Sequence, residues 1–546
     1  MYKYILLLML AGAFLITSCN KDLDKYPETQ LSTLDFWKTP NDLRDACNFF
    51  YSFLPAITEN FKGNMTDDAY GLNPNNISDG SRLPVASDGE WNNYYLLIRN
   101  ANNLLENSVK VTGDAPIINR YRAEAKFFRA YAYFELLKRY GDVPLVMKTF
   151  GVFDELTSAP RTKREIVIDS IYMDLDYAET YLPLPTALPA AEYGRITSTA
   201  ALALKARAAL FEGTRSKFHN YGTPNTHFQV AINAADKIII SKQHSLYSFT
   251  TDVKNSYYHL FQYVAEGPAN KENILSRLYG QDRTNLIAAH NFMRLIATGS
   301  TTPTRALADA YLYTDGLPLE KSSLARPQTT TLTQFTNRDP RMAMTIMNKN
   351  YPFTATGLYK PNFSGTVTGY HFRKYLVGSD FVYTGQSTLD NIIIRYAEVL
   401  LTYAEAKFEL DGAISDADLE KSFNLVRVRA QMPKLTNAFV NTHQLNLREE
   451  IRRERRVELT LENDLRYWDI IRWKIAEDVL PKVVLGIKYF RSEYTTNDNP
   501  ILDQDGFVIV QTAEKRFFNP TRDYLYPLPS RDLGLNHNLT QNPNWY

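Results

Sequence analysis

Small and large apolar residues alternate along one helical face in three separate stretches of this chain. In RYRAEAKFFRAYAYFELLKRYGDVPL (120–145), Ala123, Phe127, Ala130, Phe134 and Leu137 recur at spacings of four and three, which stacks them on one side of a helix. A neighbouring helix can approach at each Ala and lock against each Phe. Gly141 predicts the end of the helix and Pro144 prevents its resumption. In TSTAALALKARAALFEG the stripe is Ala201, Leu204, Ala208 and Phe211, with Thr197 or Ser198 as N-cap. In NIIIRYAEVLLTYAEAKFELDG it is Ala397, Leu401, Ala404 and Phe408, with Gly412 after the end. One packing logic in separate helices predicts tetratricopeptide-like helical hairpins, unevenly spaced rather than in a clean tandem array.

Around these stripes the pattern predicts a first helix near 40–53, a long irregular loop at 60–90, and helices at 91–107, 161–182 and 228–242. From 247 to about 390 the helical period weakens into short alternating runs among Gly, Thr and Pro, which predicts short strands in irregular structure. Helices return at 391–410, 416–430 and 443–478, and the last segment, YLYPLPSRDLGLNHNLTQNPNWY, is expected to run extended over the helices.

At the start, Lys3 precedes an apolar run from Ile5 to Ile16, about a dozen residues and too short to span a bilayer. Ile16-Thr17-Ser18-Cys19 then has the look of a bacterial lipobox, with Cys19 as the acylated first residue of the mature chain. Cys47, on an apolar helix face, is left without a partner and reads as a small core residue.

The chain has 546 residues, 22% of them charged, and a net charge of +1, which gives no electrostatic reason to expect nucleic acid. The basic run REEIRRERR does not change this. Arg455, Glu458, Glu462, Arg466 and Asp469 carry both signs at spacings of three and four, an ion-pair ladder rather than a phosphate stripe. Tyrosine is abundant, with 36 residues, and suits both wet cores and sugar sites.

Catalytic patterns are missing: no phosphate loop, HExxH or GxSxG, and no His pair at metal-ligand spacing. Asp67-Asp68 are adjacent and point apart, unlike a glycosidase pair. The Asp498/Asp503–Gly506 stretch lacks the later bidentate Glu of a calcium loop and reads as a turn. No cofactor or metal is expected, and no enzyme.

Seven segments together resemble the SusD/RagB family of outer-membrane nutrient-binding lipoproteins. They are Asp35-Phe36-Trp37, FFRAYAYFELLKRYGDVPL, GRITSTAALALKARAALFEG, PTRALADAYLYTDG with NRDPR after it, IIIRYAEVLLTYAEA, RRERRVELTLENDLRYWDIIRW and the C-terminal YLYPLPSRDLGLNHNLTQNPNWY. Asn544 stands where the family often has Gly, at a position where Asn also tolerates a left-handed turn. The resemblance implies an all-α fold, a tetratricopeptide-like hairpin scaffold with a less regular, loop-rich half packed on it. It divides the chain into a signal peptide (1–18), a lipidated tether (19–34), an N-terminal helical part (35–246), an irregular insertion on the ligand side (247–390) and a C-terminal part completing the scaffold (391–546).

It also implies a lipid-anchored protein of the outer membrane, facing the cell exterior, that captures a glycan and delivers it to a SusC-like TonB-dependent transporter. Peptide cargo is an open alternative, and a surface glycan hydrolase would need a converging carboxylate pair. By position in relatives, the ligand residues are expected at Tyr70, Arg82, Trp91 and Asn92, then Tyr279, Gln281, Asp282 and Arg283. Trp91 also shares a helical face with Tyr95, Ile98, Asn102 and Leu105, so core packing competes with ligand binding there. Tyr279 is open between the two roles. Arg395, Glu405, Arg455 and Glu462 are expected in the scaffold.

Overall fold

The computed structural model describes residues 36–151, 154–280, 288–354, 357–363, 365–377, 384–494 and 498–545. The chain is predominantly helical. Its scaffold comprises α1 (Pro40–Phe50), α2 (Gly89–Asn107), α3 (Ala115–Tyr140), α4 (Arg164–Tyr181), α5 (Ser198–His219) and α6 (Pro224–Ser241). After the irregular half, which holds the short α7 (Arg305–Ala310), come α8 (Tyr396–Asp411), α9 (Leu447–Glu458) and α10 (Leu465–Arg472). Consecutive helices from α2 to α6 pack on one another, and α8 closes against α6, α5 and α9.

The alternating stripes make these contacts. All five predicted positions on α3 and all four on α5 are buried, and Phe134 meets Phe211 edge-on at 5.8 Å. α3 is enclosed on every side from Ala123 to Tyr140, except for half-buried Lys126, so its polar residues must pair inside. Arg129 grips both oxygens of Asp174 on α4, at 2.7 and 2.8 Å. Arg195 pairs with Glu124 at 2.8 Å, and Arg139 with Glu135 at 2.6 Å. Gly141 ends the helix with a φ of 74°, a conformation that glycine adopts without strain.

Among the described residues the strands form four two-stranded antiparallel pieces. They are β1 (Ala69–Gly71) with β3 (Thr301–Pro303), β2 (Asn273–Arg277) with β6 (Asn391–Arg395), β4 (Pro352–Thr354) with β5 (Gly357–Leu358), and β7 (Val484–Lys488) with β8 (Phe507–Gln511). A second apolar core, built around Tyr257, Phe292, Tyr311, Tyr370 and Tyr375, fills the irregular half.

Three expectations are corrected. Residues 391–395 are a strand, not helix: NIIIR is fully buried around the short apolar run Ile392–Ile394, which periodicity cannot tell from a helix. The 416–430 helix breaks at Ser422. The expected 443–478 helix breaks at 459–464, where Leu461 and Asn463 take positive φ of 59° and 51°. Tertiary pairing sets that break. The charged side chains do not ladder along one helix; they reach other elements. Arg395 donates to Glu272 (2.8 Å), Glu458 (2.7 Å) and Glu462 (2.7 and 2.8 Å). Glu458 also takes Arg341 at 2.8 Å, and Glu462 takes Lys374 at 2.6 Å. Arg455 does pair with Asp469, across the break, at 2.9 Å. The expected scaffold residues Arg395, Glu405, Arg455 and Glu462 are all buried.

The C-terminal segment is an anchored strap rather than a loose cover, and includes a short helix at Ser530–Leu535. The Tyr526 amide donates to Arg139 O at 2.7 Å, and Arg161 donates to Thr540 O (2.9 Å) and Asn542 Oδ1 (2.6 Å). Leu528 and Trp545 are buried, and Asn544 has the left-handed φ of 61° that Asn tolerates. The turn reading at Asp503 holds: its carboxylate accepts the amides of Asp505 and Phe507.

Removing one partner of a buried ion pair leaves the other charge desolvated and alone. Arg395→Ala, which takes a buried cation from three carboxylates at once, is expected to cost about 3–5 kcal/mol in chemical denaturation. Acid should weaken the fold as well. Burial raises Glu458, but Arg429, Arg395 and Arg341 outweigh it and hold the carboxyl well below its usual range. Such a group contributes fully above its unfolded pKa of about 4.3 and loses that contribution as pH falls through the folded value. A pH series of thermal melts should show Tm falling steeply below about pH 4.

Candidate functional site

The segment Ser52–Ala56, which runs from a short 3-10 turn (Tyr51–Phe53) to a longer 3-10 segment (Ile57–Met65), separates two surface clefts that share Ser52 and Leu54. The first, of about 510 Å³, is walled by Phe53, Pro55, Glu59, Glu90, Asn93 and Tyr94. The second, of about 340 Å³, is walled by Asn48, Tyr51, Tyr193, Arg195, Arg277 and Leu278.

Local capping aims the first turn of α2 at the first cleft. Asp88 accepts the Glu90 amide at 2.9 Å as N-cap and the Tyr140 hydroxyl at 2.7 Å. Glu90, Asn93 and Tyr94 then share one side of the helix, at i, i+3 and i+4. Arg139, with its guanidinium 3.5 Å away, lowers the Glu90 carboxyl to about 2, and Lys62 at 3.1 Å adds to this. Glu59 is raised by burial, and it too contacts the Lys62 ammonium.

The second cleft is stitched together by β2. Arg277 Nη1 donates to Leu54 O at 2.5 Å, and the Ile57 amide donates to the Tyr279 hydroxyl at 3.0 Å. The Tyr279 amide donates to Asp390 at 2.9 Å. Tyr193 stands half-buried on the far wall; burial, with Asp390 and Glu266 behind it, pushes its phenol up to about 12. A half-buried tyrosine ring beside Asn and Arg donors is an arrangement that can cover a sugar's C–H face and bond its hydroxyls.

Of the residues expected from the sequence, the five that are described do not assemble into one site. Tyr70 is buried in the middle of β1, paired with Thr302 on β3. Arg82 lies over the rings of Tyr526 (4.0 Å) and Trp545 (5.0 Å) and donates to Asp523 O and Leu525 O, both at 3.3 Å. It clamps the C-terminal strap. Trp91 is 5% exposed, packed on Tyr95 at 4.8 Å and edge-on to Tyr140 at 5.0 Å. Asn92 donates to Ser87 Oγ at 2.9 Å and accepts from Arg531 at 3.4 Å. Each residue along a helix turns the side chain by about 100°, so Trp91 and Asn92, just past Glu90, point away from the cleft. Tyr279 sits beside the second cleft. Gln281, Asp282 and Arg283 follow it but lie outside the described residues, as does Cys19. Sequence reasoning missed Glu90, Asn93 and Tyr94, whose signal was the helical spacing following the Asp88 cap. It also missed Tyr193 and Arg277, which only the fold brings to the turn at Ser52.

Among the described residues no helix is long and apolar enough to cross a membrane, and no group of three His, Cys, Asp or Glu is placed to hold a metal.

Comparison with known proteins covers both halves of the chain. The SusD family pattern matches residues 281–545, and a second pattern, described as starch-binding associating with outer membrane, matches residues 51–210. A SusD-like protein of Formosa agariphila is 26% identical, with 99% of this chain and 98% of the relative aligned. A SusD-like protein of Bacteroides ovatus is 27% identical over 77% of this chain and 70% of its own. The crystal structure of a SusD-like carbohydrate binding protein from Bacteroides fragilis superposes with a TM-score of 0.76 at 25% identity, covering 92% of this chain and 100% of that one. A laminarin binding SusD-like protein shares the fold, with a TM-score of 0.59 at 20% identity over 93% of this chain and 100% of that one. With its hairpin scaffold, its irregular half and both family patterns in place, this chain belongs to the SusD/RagB family, a carbohydrate-binding family associated with the outer membrane.

Proposed function

We propose that this protein is a surface glycan-binding lipoprotein that captures oligosaccharide in the paired clefts at Ser52–Ala56 and passes it to a SusC-like TonB-dependent transporter. The observation that carries the site is the pair of adjoining clefts, about 510 and 340 Å³, a size range suited to a short oligosaccharide. Tyr193 supplies a ring face, and Asn93, Asn48 and Arg277 supply the polar contacts. The protein acts by binding and not by hydrolysis. Glu59 and Glu90 are the carboxyl pair that the sequence did not reveal, but the Lys62 ammonium sits between them, where a glycosidic oxygen would have to go. The anchor is the lipid on Cys19, which holds the chain at the outer face of the membrane.

Titration of the purified mature chain against a glycan panel, laminarin and starch oligosaccharides included, should give saturable binding to at least one. Tyr193→Ala and Asn93→Ala should weaken it tenfold or more. Trp91→Ala should lower stability by about 3–5 kcal/mol while the folded fraction keeps its affinity. The bound glycan should be recovered intact; new reducing ends that disappear in Glu59→Gln would instead establish a hydrolase. Binding unchanged in Tyr193→Ala and Asn93→Ala would remove the site, and a peptide bound in place of every glycan would change the cargo.

In a host expressing the full chain, Cys19→Ser should abolish labelling by a fatty-acid probe and release the protein from the membrane fraction. Crosslinking in the native membrane should recover a TonB-dependent transporter with the wild-type chain.

A further inference from the structure

A larger cleft, about 790 Å³, opens elsewhere, between α7, α9, Arg466 at the start of α10, the segment Trp473–Leu485 and the Ala513–Arg516 turn. Its wall carries seven basic side chains and four carboxylates. Most of the basic groups are neutralised within the protein. Arg466 takes Asp67 with two bonds of 3.0 Å, Arg456 contacts Asp67 and Asp68, Arg305 takes Asp309, and Arg453 takes Glu450.

Three are not. Arg452 lies flat between the rings of Trp473 (4.8 Å) and Phe218 (4.9 Å), with its side chain 11% exposed. Its Nε and Nη2 have no hydrogen-bond partner among the described residues, and its near carboxylate, Glu449, is 3.6 Å from Nη1. Arg516, 6% exposed, donates among the described residues to neutral acceptors, Leu480 O and Gln511 Oε1, both at 2.7 Å. Lys482 stands exposed at the rim with no described ion pair. Glu320 and Glu449 also face the cleft and exclude a uniformly anionic ligand, so the charge must be spaced along the ligand. Ile475, Val479, Val484 and Leu485 give an apolar part of the wall. Guanidinium N–H groups left without hydrogen-bond partners are unfavourable out of water, and a carboxylate or sulfate oxyanion can accept from them.

We propose that this cleft is a second saccharide site, selective for acidic sugars, in which Arg452 and Arg516 bind the carboxylate or sulfate group and Lys482 guides it in. Sugar rings with spaced anionic groups match a wall that is part apolar and part basic better than a continuous polyanion does. This inference rests on the glycan-binding reading above, and its test separates the two.

The mature chain is titrated with hyaluronan for carboxylate and κ-carrageenan for sulfate, each with one anionic group on every second sugar, laminarin as neutral glycan and poly-glutamate as acidic peptide. In parallel, Lys482 is reacted with an amine acylating reagent and followed by mass spectrometry. An acidic saccharide should bind, bind more weakly as salt rises, and protect Lys482 from acylation, while laminarin should leave Lys482 reactive. Lys482→Glu, at an exposed position that does not endanger folding, and Arg452→Gln should each weaken the acidic saccharide at least tenfold. Neither should change laminarin binding. The preferred polymer assigns carboxylate or sulfate. Acidic saccharide bound equally by both variants, or not bound at all, would overturn this site, and laminarin binding lost only in Tyr193→Ala would show that the first site stands without it. Protection of Lys482 by poly-glutamate alone would assign the cleft to an acidic peptide and also overturn the proposal.

Discussion

The structure depends on a buried knot of charge. Arg395, the last residue of β6 and the residue before α8, reaches Glu272 on the segment entering β2, Glu458 at the end of α9 and Glu462 in the turn beyond. Arg341, from the irregular half, enters the same Glu458 and also takes Glu454 at 2.6 Å. None of these groups is stable alone out of water, so each requires all the others to be in place. The knot lies where the two apolar cores meet: Ile451 of α9 belongs to one and Val457 to the other. It is therefore a registration device, fixing the loop-rich half on the helical scaffold where shape alone would allow sliding.

Much of the scaffold was legible because packing repeats a local rule. The stripes on α3, α5 and α8 specify both helix and buried face, and Gly141 and Gly412 end their helices in left-handed conformations. Legibility failed where tertiary partners override local pattern. The charges from Arg455 to Asp469 fit one continuous helix by spacing, but Glu462 has to turn inward to meet Arg395 and Lys374, and the helix gives way. NIIIR reads equally as helix or strand until β2 is there to pair with it.

The site was harder still. An aromatic at the head of a helix beside a long loop, such as Trp91, looks the same whether it faces ligand or core. One residue of rotation decided the matter, and only the placement of Asp88 and Tyr140 fixes that rotation. Arg82 was equally ambiguous, since a guanidinium on aromatic rings suits a sugar site and a structural clamp alike. The clefts themselves join residues near 52, 90, 193 and 277, a set that has no signature in the order of the chain.

The C-terminal strap has a consequence for the order of events during folding. Arg82 bonds to Asp523 across a separation of 441 residues, and Asn542 to the carbonyl of Tyr140 across 402. The helices made first therefore keep an open flank until residues 516–545 have emerged. Contacts of such span are slow to form, because the loop they close must lose its freedom beforehand. A chain built this way stays unlocked through most of its synthesis and is latched by its last segment.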